Sequence, residues 1–176
     1  MKKLKTPRLI LREPKISDIK DFYEYAKDPE VGPRAGWAAH ENIEQSYFIL
    51  ESFIAHQDVW TVYHKKDHKM IGSIGLHLRE GIYELGYVLN QNYWHQGLMS
   101  EALNVLLAYF FQELAIEEIY VSHYPDNLRS QRVIEKQGFK YLNTTEVKDS
   151  PYSKTKLNYC LKSDDYWRIH HAGKKI

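Results

Sequence analysis

The stretch Tyr83–Ala102, YELGYVLNQNYWHQGLMSEA, decides how this chain folds. Its first part is rich in aliphatic and aromatic residues and follows the turn Glu80-Gly81, which predicts a strand over Ile82–Leu89. A turn around Gly97 comes next, and apolar residues then recur at helical spacing. They are Met99, Leu103, Leu106, Leu107, Phe110 and Leu114. The stretch therefore predicts a strand, a turn and a long helix whose apolar face lies on a sheet.

The turn at Gly97 is the first candidate for a binding site. A helix N-terminus presents unpaired N–H groups and the positive end of the helix dipole, and both attract phosphate. Glycine lets the backbone approach an anion closely. A plain strand-to-helix turn is the alternative interpretation of a single glycine. The sequence contains no Gly-Lys-Ser/Thr and no Gly-x-Gly-x-x-Gly, so a P-loop is excluded and a dinucleotide site is unsupported.

The neighbouring segments predict a single α/β domain over residues 1–176. Before the central stretch, the pattern predicts the strand Leu9–Leu11, the helices Ser17–Lys27 and Ile43–His56, and the strands Val59–His64 and Met70–Leu78. After it come the strand Ile119–His123, the helix Leu128–Gln137, and the strands Lys140–Val147 and Thr155–Leu161. The order is β-α-α-β-β-β-α-β-α-β-β, and the short links favour a mixed, mostly antiparallel sheet. Gly138 suits a left-handed cap from which Phe139 folds back on Ile134.

Composition excludes several function classes. The formal net charge of +1 gives no long-range attraction to nucleic acid or to an anionic membrane. The single cysteine, Cys160, cannot form an internal disulfide, and no apolar run suggests a signal peptide or a membrane span. We therefore expect a soluble cytoplasmic protein. The nine histidines form no metal-binding pattern, and His170-His171 lies in a predicted polar tail, so no metal is expected.

A second polar pattern runs from Asn127 through Ser130 to Gly138-Phe139. By itself it describes a helix with Asn127 as N-cap and Ser130 in the first turn. Together with the opening Thr6–Arg12 (TPRLILR) and with Tyr93–Ala102 (YWHQGLMSEA), it resembles the GNAT acetyltransferase superfamily, most closely its Rim-type branch of ribosomal-protein N-terminal acetyltransferase relatives. The resemblance covers nearly the whole chain. It implies a GNAT fold, acetyl-CoA as co-substrate, and transfer of an acetyl group to a primary amine.

The resemblance also implies where coenzyme A binds. Its pantetheine arm is expected beside the strand Ile82–Leu89, bonded to backbone groups of Val88 and Leu89, with Asn127 on a pantetheine amide. The residues expected to hold the pyrophosphate are His95, Gln96, Gly97, Leu98, Met99 and Ser100. The sequence departs from the family's loop pattern at Trp94 and at Met99, and the loop has no lysine or arginine. Arg132 or Lys136 is therefore expected to supply a cation from the neighbouring helix.

Three groups are candidates for the chemistry. Glu84 is expected to act as the base, because some family members place a catalytic glutamate at this distance from Val88; a surface carboxylate or ion-pair partner is the alternative. A backbone N–H near Leu89 is expected to stabilise the oxyanion. The resemblance gives Ser130 the role of acid for the leaving thiolate, with Tyr124 as the alternative. Direct attack in a ternary complex needs no covalent enzyme intermediate, so Cys160 is not required.

The sequence says least about the residues that bind the acceptor amine. The resemblance implies that Val31–His40 walls it, with Trp37 and His40 as possible contacts, although Trp37 equally suits a residue that covers the core. Protein or peptide α-amines and small-molecule amines remain open as acceptors, and a homodimer is possible. The rival hypothesis is a non-catalytic acyl-CoA-binding sensor or interaction domain of the same fold.

Overall fold

Eight strands form one mixed sheet in the computed structural model, which describes residues 1–171. The strands are β1 (Leu4–Lys5), β2 (Leu9–Arg12), β3 (Val59–His64), β4 (Lys69–Arg79), β5 (Ile82–Leu89), β6 (Glu118–His123), β7 (Lys140–Glu146) and β8 (Thr155–Lys162). Their order across the sheet is β1-β2-β3-β4-β5-β6-β8-β7. Neighbours are antiparallel except β5 and β6, which run parallel. The predicted α/β fold with a mixed sheet is confirmed.

Six α-helices of residues 1–171 accompany the sheet. They are α1 (Ile19–Ala26), α2 (Gly32–Ala35), α3 (Ile43–His56), α4 (Leu98–Gln112), α5 (Leu128–Lys136) and α6 (Ser163–His171). Within residues 1–171, no helix combines the length and hydropathy needed to cross a bilayer.

Three elements were not predicted: β1, α2 and α6. A two-residue strand carries almost no pattern of its own, and β1 exists only because Leu4 pairs with Leu11 of β2. The segment expected to be a polar tail instead forms α6, because Tyr166 is buried and stacks on Phe111 of α4 with ring centroids 4.8 Å apart. These elements depend on tertiary contacts rather than on local periodicity.

Two hydrophobic cores lie on opposite faces of the sheet. The larger core is built by α4 and α5, and the smaller one by α1, α3 and the start of α2. Leu85, Tyr87 and Leu89 of β5 pack toward the larger core, whereas Val88 packs toward the smaller one. Because side chains alternate along a strand, Glu84 shares the face of Val88.

The end of α5 follows the sequence prediction closely. Gly138 has a left-handed backbone with φ of 87°. The N–H of Phe139 donates to the carbonyl of Ile134 at 3.4 Å, and both side chains are buried in the larger core. The predicted cap is confirmed, and it turns the chain from α5 into β7.

The sheet opens between β5 and β6. These strands pair only at Tyr83 with Ile119, Glu84 with Tyr120, and Leu85 with Val121. On its other edge β5 stays paired with β4 as far as Leu89. The last four residues of β5 therefore have a strand neighbour on one side and a gap on the other.

Candidate active site

A cleft of about 570 Å³ fills the gap between β5 and β6. It is bounded by β5, by the N-termini of α4 and α5, and by α2. Of the residues predicted for the site, those that line the cleft are Glu84, Val88, Leu89, His95, Gly97, Leu98, Met99, Ser100, Asn127 and Ser130. Gln96, Lys136, Trp37 and His40 lie outside its lining.

Backbone groups of β5 point into the gap. The N–H of Asn90 donates to the carbonyl of Ile71 in β4 at 2.7 Å. Bonded and non-bonded pairs alternate along an antiparallel ladder, so Val88 directs its N–H and carbonyl to β4, while Tyr87 and Leu89 direct theirs toward β6. Val88 was expected to offer backbone groups to the cofactor, but the ladder directs its backbone groups to β4. The Leu89 carbonyl accepts from Trp94 Nε1 at 2.9 Å, which leaves the Leu89 N–H facing the cleft.

The loop before α4 presents backbone amides to the cleft. His95 and Gly97 both have left-handed backbones, with φ of 62° and 71°. The first helical hydrogen bond runs from Glu101 N–H to the carbonyl of Gly97 at 3.0 Å. The amides between these two residues therefore precede the hydrogen-bonded part of the helix, in the arrangement that binds phosphate.

Arg8, just before β2, holds this loop in place. Its Nη1 donates to the carbonyl of Gln96 at 2.9 Å, and its Nε lies 2.6 Å from Glu101 Oε2. Thr6 Oγ1 donates to Glu101 Oε1 at 2.5 Å. Burial opposes ionisation of Glu101, but the bonds from Thr6 and Arg8 outweigh it and hold the pKa of that carboxyl below its ordinary value. The sequence interpretation used Thr6–Arg12 only as a family marker and missed this positioning role.

Two arginines of α5 lie at the loop end of the cleft. Arg132 lines it as expected, whereas the alternative, Lys136, lies outside. Arg129, which the sequence interpretation missed, stacks on Trp94 with its guanidinium 3.8 Å from the ring centroid. Burial and the neighbouring Arg34 both lower the pKa of Arg129, so an anion at this end would be electrostatically favourable. The helical spacing of Arg129 and Arg132 could have indicated the pair.

Ser130 is paired with a tyrosine that the sequence interpretation also missed. Tyr87 Oη lies 2.9 Å from Ser130 Oγ and donates to the Ser130 carbonyl at 3.2 Å. Burial raises the pKa of Tyr87, so its hydroxyl stays protonated at neutral pH. Alternation along β5 places Tyr87 on the α5 side, but only the fold brings Ser130 to it.

Asn127 has the structural role that its pattern predicted. Its Oδ1 accepts from Ser130 N–H at 3.2 Å, so it is the N-cap of α5. Its Nδ2 donates to the carbonyl of Arg34 at 3.3 Å, which ties α2 to α5. The N-cap interpretation is confirmed, and the bond to pantetheine stays a prediction.

Glu84 lies in the cleft with its side chain 47% exposed. Arg79 Nη1 is 3.5 Å from Glu84 Oε2, and the arginine side chain is 70% exposed. An ion pair this exposed contributes little energy and holds the carboxylate loosely. Both interpretations of Glu84, base and ion-pair partner, agree with this geometry.

The part of the cleft where the acceptor was expected is bordered by α2 and by the loop between β7 and β8. Tyr124 Oη lies 3.0 Å from Ser150 Oγ in that loop, and a Cβ built on Gly36 would lie 3.0 Å from the same oxygen. Val31 and the residues from Arg34 to Gly36 line the wall.

Trp37 and His40 belong to the smaller core. Their ring centroids are 5.2 Å apart, and Trp37 packs so closely on Gly32 that an added Cβ would lie 2.6 Å from the indole. His40 Nδ1 bonds Ser46 Oγ at 2.7 Å, and burial lowers the pKa of the imidazole. This packing agrees with the alternative in which Trp37 covers the core; direct contact with an acceptor stays a prediction.

The described residues show neither a metal centre nor a reactive thiol in the cleft. Within residues 1–171, no group of three or more His, Cys, Asp or Glu side chains could hold a metal ion. Cys160 lies in β8 outside the cleft lining, and burial raises the pKa of its thiol.

Comparison with known proteins identifies the family. Residues 8–140 match the acetyltransferase (GNAT) domain family. The N-acetyltransferase YnaD of Bacillus subtilis (strain 168), named as uncharacterized, is 29% identical over 137 residues, covering 77% of this chain and 81% of the relative. YoaA of the same organism is 29% identical over 145 residues, covering 78% and 82%.

Solved structures share the fold. The GNAT-family acetyltransferase from Bacillus anthracis superposes with a TM-score of 0.86 at 23% identity, covering 93% of this chain and 99% of that one. The ribosomal-protein-S5-alanine acetyltransferase from Vibrio fischeri superposes with a TM-score of 0.74 at 20% identity, covering 94% and 99%. Since the family match spans three quarters of the chain and includes most of the cleft lining and the loop at Gly97, this protein belongs to the GNAT acetyltransferase family.

Proposed function

We propose that this protein is an acetyl-CoA-dependent N-acetyltransferase that moves the acetyl group directly to a primary amine in a ternary complex. One observation carries the proposal: the gap beside β5 leads to the unpaired amides at the start of α4. An extended arm with amide groups fits the gap, and a diphosphate fits its end.

The loop end of the cleft supports coenzyme A binding. Pyrophosphate would lie on the amides between Gly97 and Glu101, and Arg129 and Arg132 would balance its charge. Arg8 would keep the loop in its binding shape without touching the ligand. The pantetheine amides would bond to the backbone groups that Tyr87 directs into the gap, which leaves the Leu89 N–H for the thioester.

Transfer requires a neutral amine and a stabilised oxyanion. A lysine-type ammonium has a reference pKa of about 10.4 and an α-ammonium one of about 7.7–8, so a base helps the former most at neutral pH. In the proposed mechanism Glu84 accepts this proton directly or through a water. The amine nitrogen then bonds to the thioester carbonyl carbon, whose oxygen gains negative charge beside the Leu89 N–H.

Collapse of the intermediate breaks the carbon–sulfur bond, and the leaving thiolate takes a proton. We assign this proton to Ser130 Oγ, with Tyr87 as its hydrogen-bond partner. The second proton, which the amine nitrogen loses on becoming an amide, restores the serine hydroxyl. Because Tyr87 stays protonated, it can donate to the serine oxygen as the serine proton leaves. Tyr124 is the alternative donor, although its hydroxyl is shared with Ser150.

A peptide α-amine is the acceptor that we favour. The fold is similar to that of the ribosomal-protein-S5-alanine acetyltransferase from Vibrio fischeri, and the sequence resembles ribosomal-protein N-terminal acetyltransferase relatives.

The decisive experiment measures free thiol released from acetyl-CoA with a panel of peptides and small amines, alongside calorimetric binding of coenzyme A. Binding together with amine-dependent thiol release is expected. Binding without release for every amine would instead indicate the non-catalytic acyl-CoA-binding domain. Absence of binding at millimolar coenzyme A would refute both.

A further inference from the structure

Lys156 of β8 places a positive charge in the acceptor half of the cleft. It lines the cleft and is partly buried. The other two cations of this half are already paired: Arg34 with Glu30 and Asp126 at 2.9 and 3.6 Å, and Arg79 with Glu84. Among residues 1–171, Lys156 takes part in no ion pair. An anionic ligand group that enters this part of the cleft could therefore form a charge-assisted hydrogen bond with the Lys156 ammonium.

This charge is separate from the arginines at the loop end. Tyr159 and Leu161 of β8 belong to the larger core, so alternation places Lys156 on the opposite face of the sheet, which is the face of Glu84. Arg129 stacks on Trp94, which comes just before the Gly97 loop, whereas Lys156 lies on β8, two strands away from β5. Lys156 is therefore placed for the acceptor rather than for the phosphates of coenzyme A.

The spacing of the strands limits where the anion can be on the acceptor. Lys156 is two strands away from β5, across β6, and each step adds about 4.8 Å. The gap between β5 and β6 adds more. The amine nitrogen of the acceptor must reach a thioester beside β5. The anionic group bound by Lys156 must therefore be farther along the acceptor than the carbon that bears the amine. A side chain on the next residue of a peptide fits this separation better than the α-carboxylate of a free amino acid.

We propose that the acceptor is a peptide α-amine followed by a residue with a carboxylate side chain, and that Lys156 binds this carboxylate. This inference rests on the proposed function and specifies its acceptor class. Tyr124 lines the same part of the cleft and offers a hydroxyl beside the carboxylate.

The test compares two amidated tripeptides, Ala-Glu-Gly and Ala-Gln-Gly, in which the glutamate side chain is the one difference. Thiol release from acetyl-CoA is expected to show a kcat/KM about tenfold higher for the glutamate peptide, a factor that corresponds to about 1.4 kcal/mol. The preference should shrink as salt is added. Lys156→Met should lower the value for the glutamate peptide to that for the glutamine peptide, with an unchanged KM for acetyl-CoA. Lys156→Arg should keep the preference, and Lys154→Met, an exposed neighbour, is the matched control.

Equal kcat/KM for the two peptides in the unmodified protein would overturn the inference, as would a preference that survives Lys156→Met. A raised KM for acetyl-CoA in Lys156→Met would assign the lysine to the cofactor and overturn it too. Free alanine forms a separate arm, because efficient, Lys156-dependent acetylation of it would refute the placement on the second residue. If no amine releases thiol, the proposed function fails and the inference with it.

Discussion

The hydroxyl groups of Tyr87 and Ser130 lie 2.9 Å apart across the cleft, one on β5 and the other on α5. This bond joins the strand beside which a thioester would lie to the helix that Asn127 caps. It provides a protonated pair next to the position expected for the leaving sulfur. Residues of two strand-to-helix connections, β5 to α4 and β6 to α5, line the same cleft.

Removal of either hydroxyl is expected to slow the chemical step. Ser130→Ala should lower kcat by about 10²-fold, the low end of general acid–base contributions, and Tyr87→Phe by a smaller factor. The KM for acetyl-CoA should change little. Tyr141→Phe, which loses a 2.9 Å bond to Thr144 on the surface, is the matched control. An unchanged kcat in Tyr87→Phe would remove that residue from the proton path.

Arg8→Met is expected to weaken coenzyme A binding although Arg8 does not line the cleft. The substitution removes the bond to the Gln96 carbonyl and leaves Glu101 without its ion-pair partner, so the loop loses its fixed shape. We expect the Kd for coenzyme A to rise about tenfold, measured by calorimetry. Lys2→Met breaks an ion pair of similar length with Glu113, away from the loop, and should leave the Kd unchanged. If Arg8→Met and Lys2→Met changed the Kd for coenzyme A equally, Arg8 would not be the residue that positions the loop.

Gly97→Ala tests the backbone at the start of α4. Its φ of 71° is unfavourable for alanine, and the nearest described atom, Arg8 Nη2, is 3.8 Å from an added Cβ, so strain rather than a clash sets the cost. We expect a loss of about 1–2 kcal/mol in unfolding free energy, together with weaker coenzyme A binding. Gly81→Ala is the matched control, because Gly81 has a φ of 81° with open space around it in a distant turn. Gly81→Ala should lose a similar amount of stability and bind coenzyme A normally. If Gly81→Ala lost as much affinity for coenzyme A as Gly97→Ala, the proposed role of the Gly97 loop would be contradicted.

Glu84→Gln is expected to lower kcat/KM most at low pH. With the carboxylate present, an ammonium can be deprotonated in the complex; without it, only the fraction of amine already neutral can react, and that fraction falls as pH falls. The ratio of the two activities should therefore approach one as the pH nears the pKa of the acceptor. Glu80→Gln in the neighbouring turn is the control. If kcat/KM of Glu84→Gln fell by the same factor at every pH, Glu84 would act in binding rather than as the base.

Glu101→Gln is expected to destabilise the fold at neutral pH by about 1–3 kcal/mol, the range for hydrogen bonds to a charged group. The bonds from Thr6 and Arg8 hold the pKa of this carboxyl below its unfolded value, so their contribution is complete above that value, about 4.3, and is lost as pH falls through the folded pKa. Chemical denaturation at pH 7 and pH 3 should therefore show a stability difference that shrinks at the lower pH. A constant difference would exclude ionisation as its source.

Local pattern predicted most elements of this fold. Ile43–His56 and Ile82–Leu89 have in the structure the bounds that periodicity and turn residues predicted. The cap at Gly138 could also be predicted from the sequence, because the left-handed glycine and the apolar contact of Phe139 with Ile134 lie within a few positions of each other. Such features depend on neighbours in the chain, and the sequence lists those neighbours directly.

The sequence by itself determined the α/β order of elements, the glycine turn before a long helix, and the motifs that define the family. Only the tertiary structure decided that β5 and β6 separate after Leu85, that Arg8 supports the Gly97 loop, and that Tyr87 meets Ser130. The partners in these last two contacts are about 40 to 90 positions apart along the chain. Their meeting depends on the order in which strands join the sheet, because hydrogen-bonding and packing free energies between distant segments leave no local pattern.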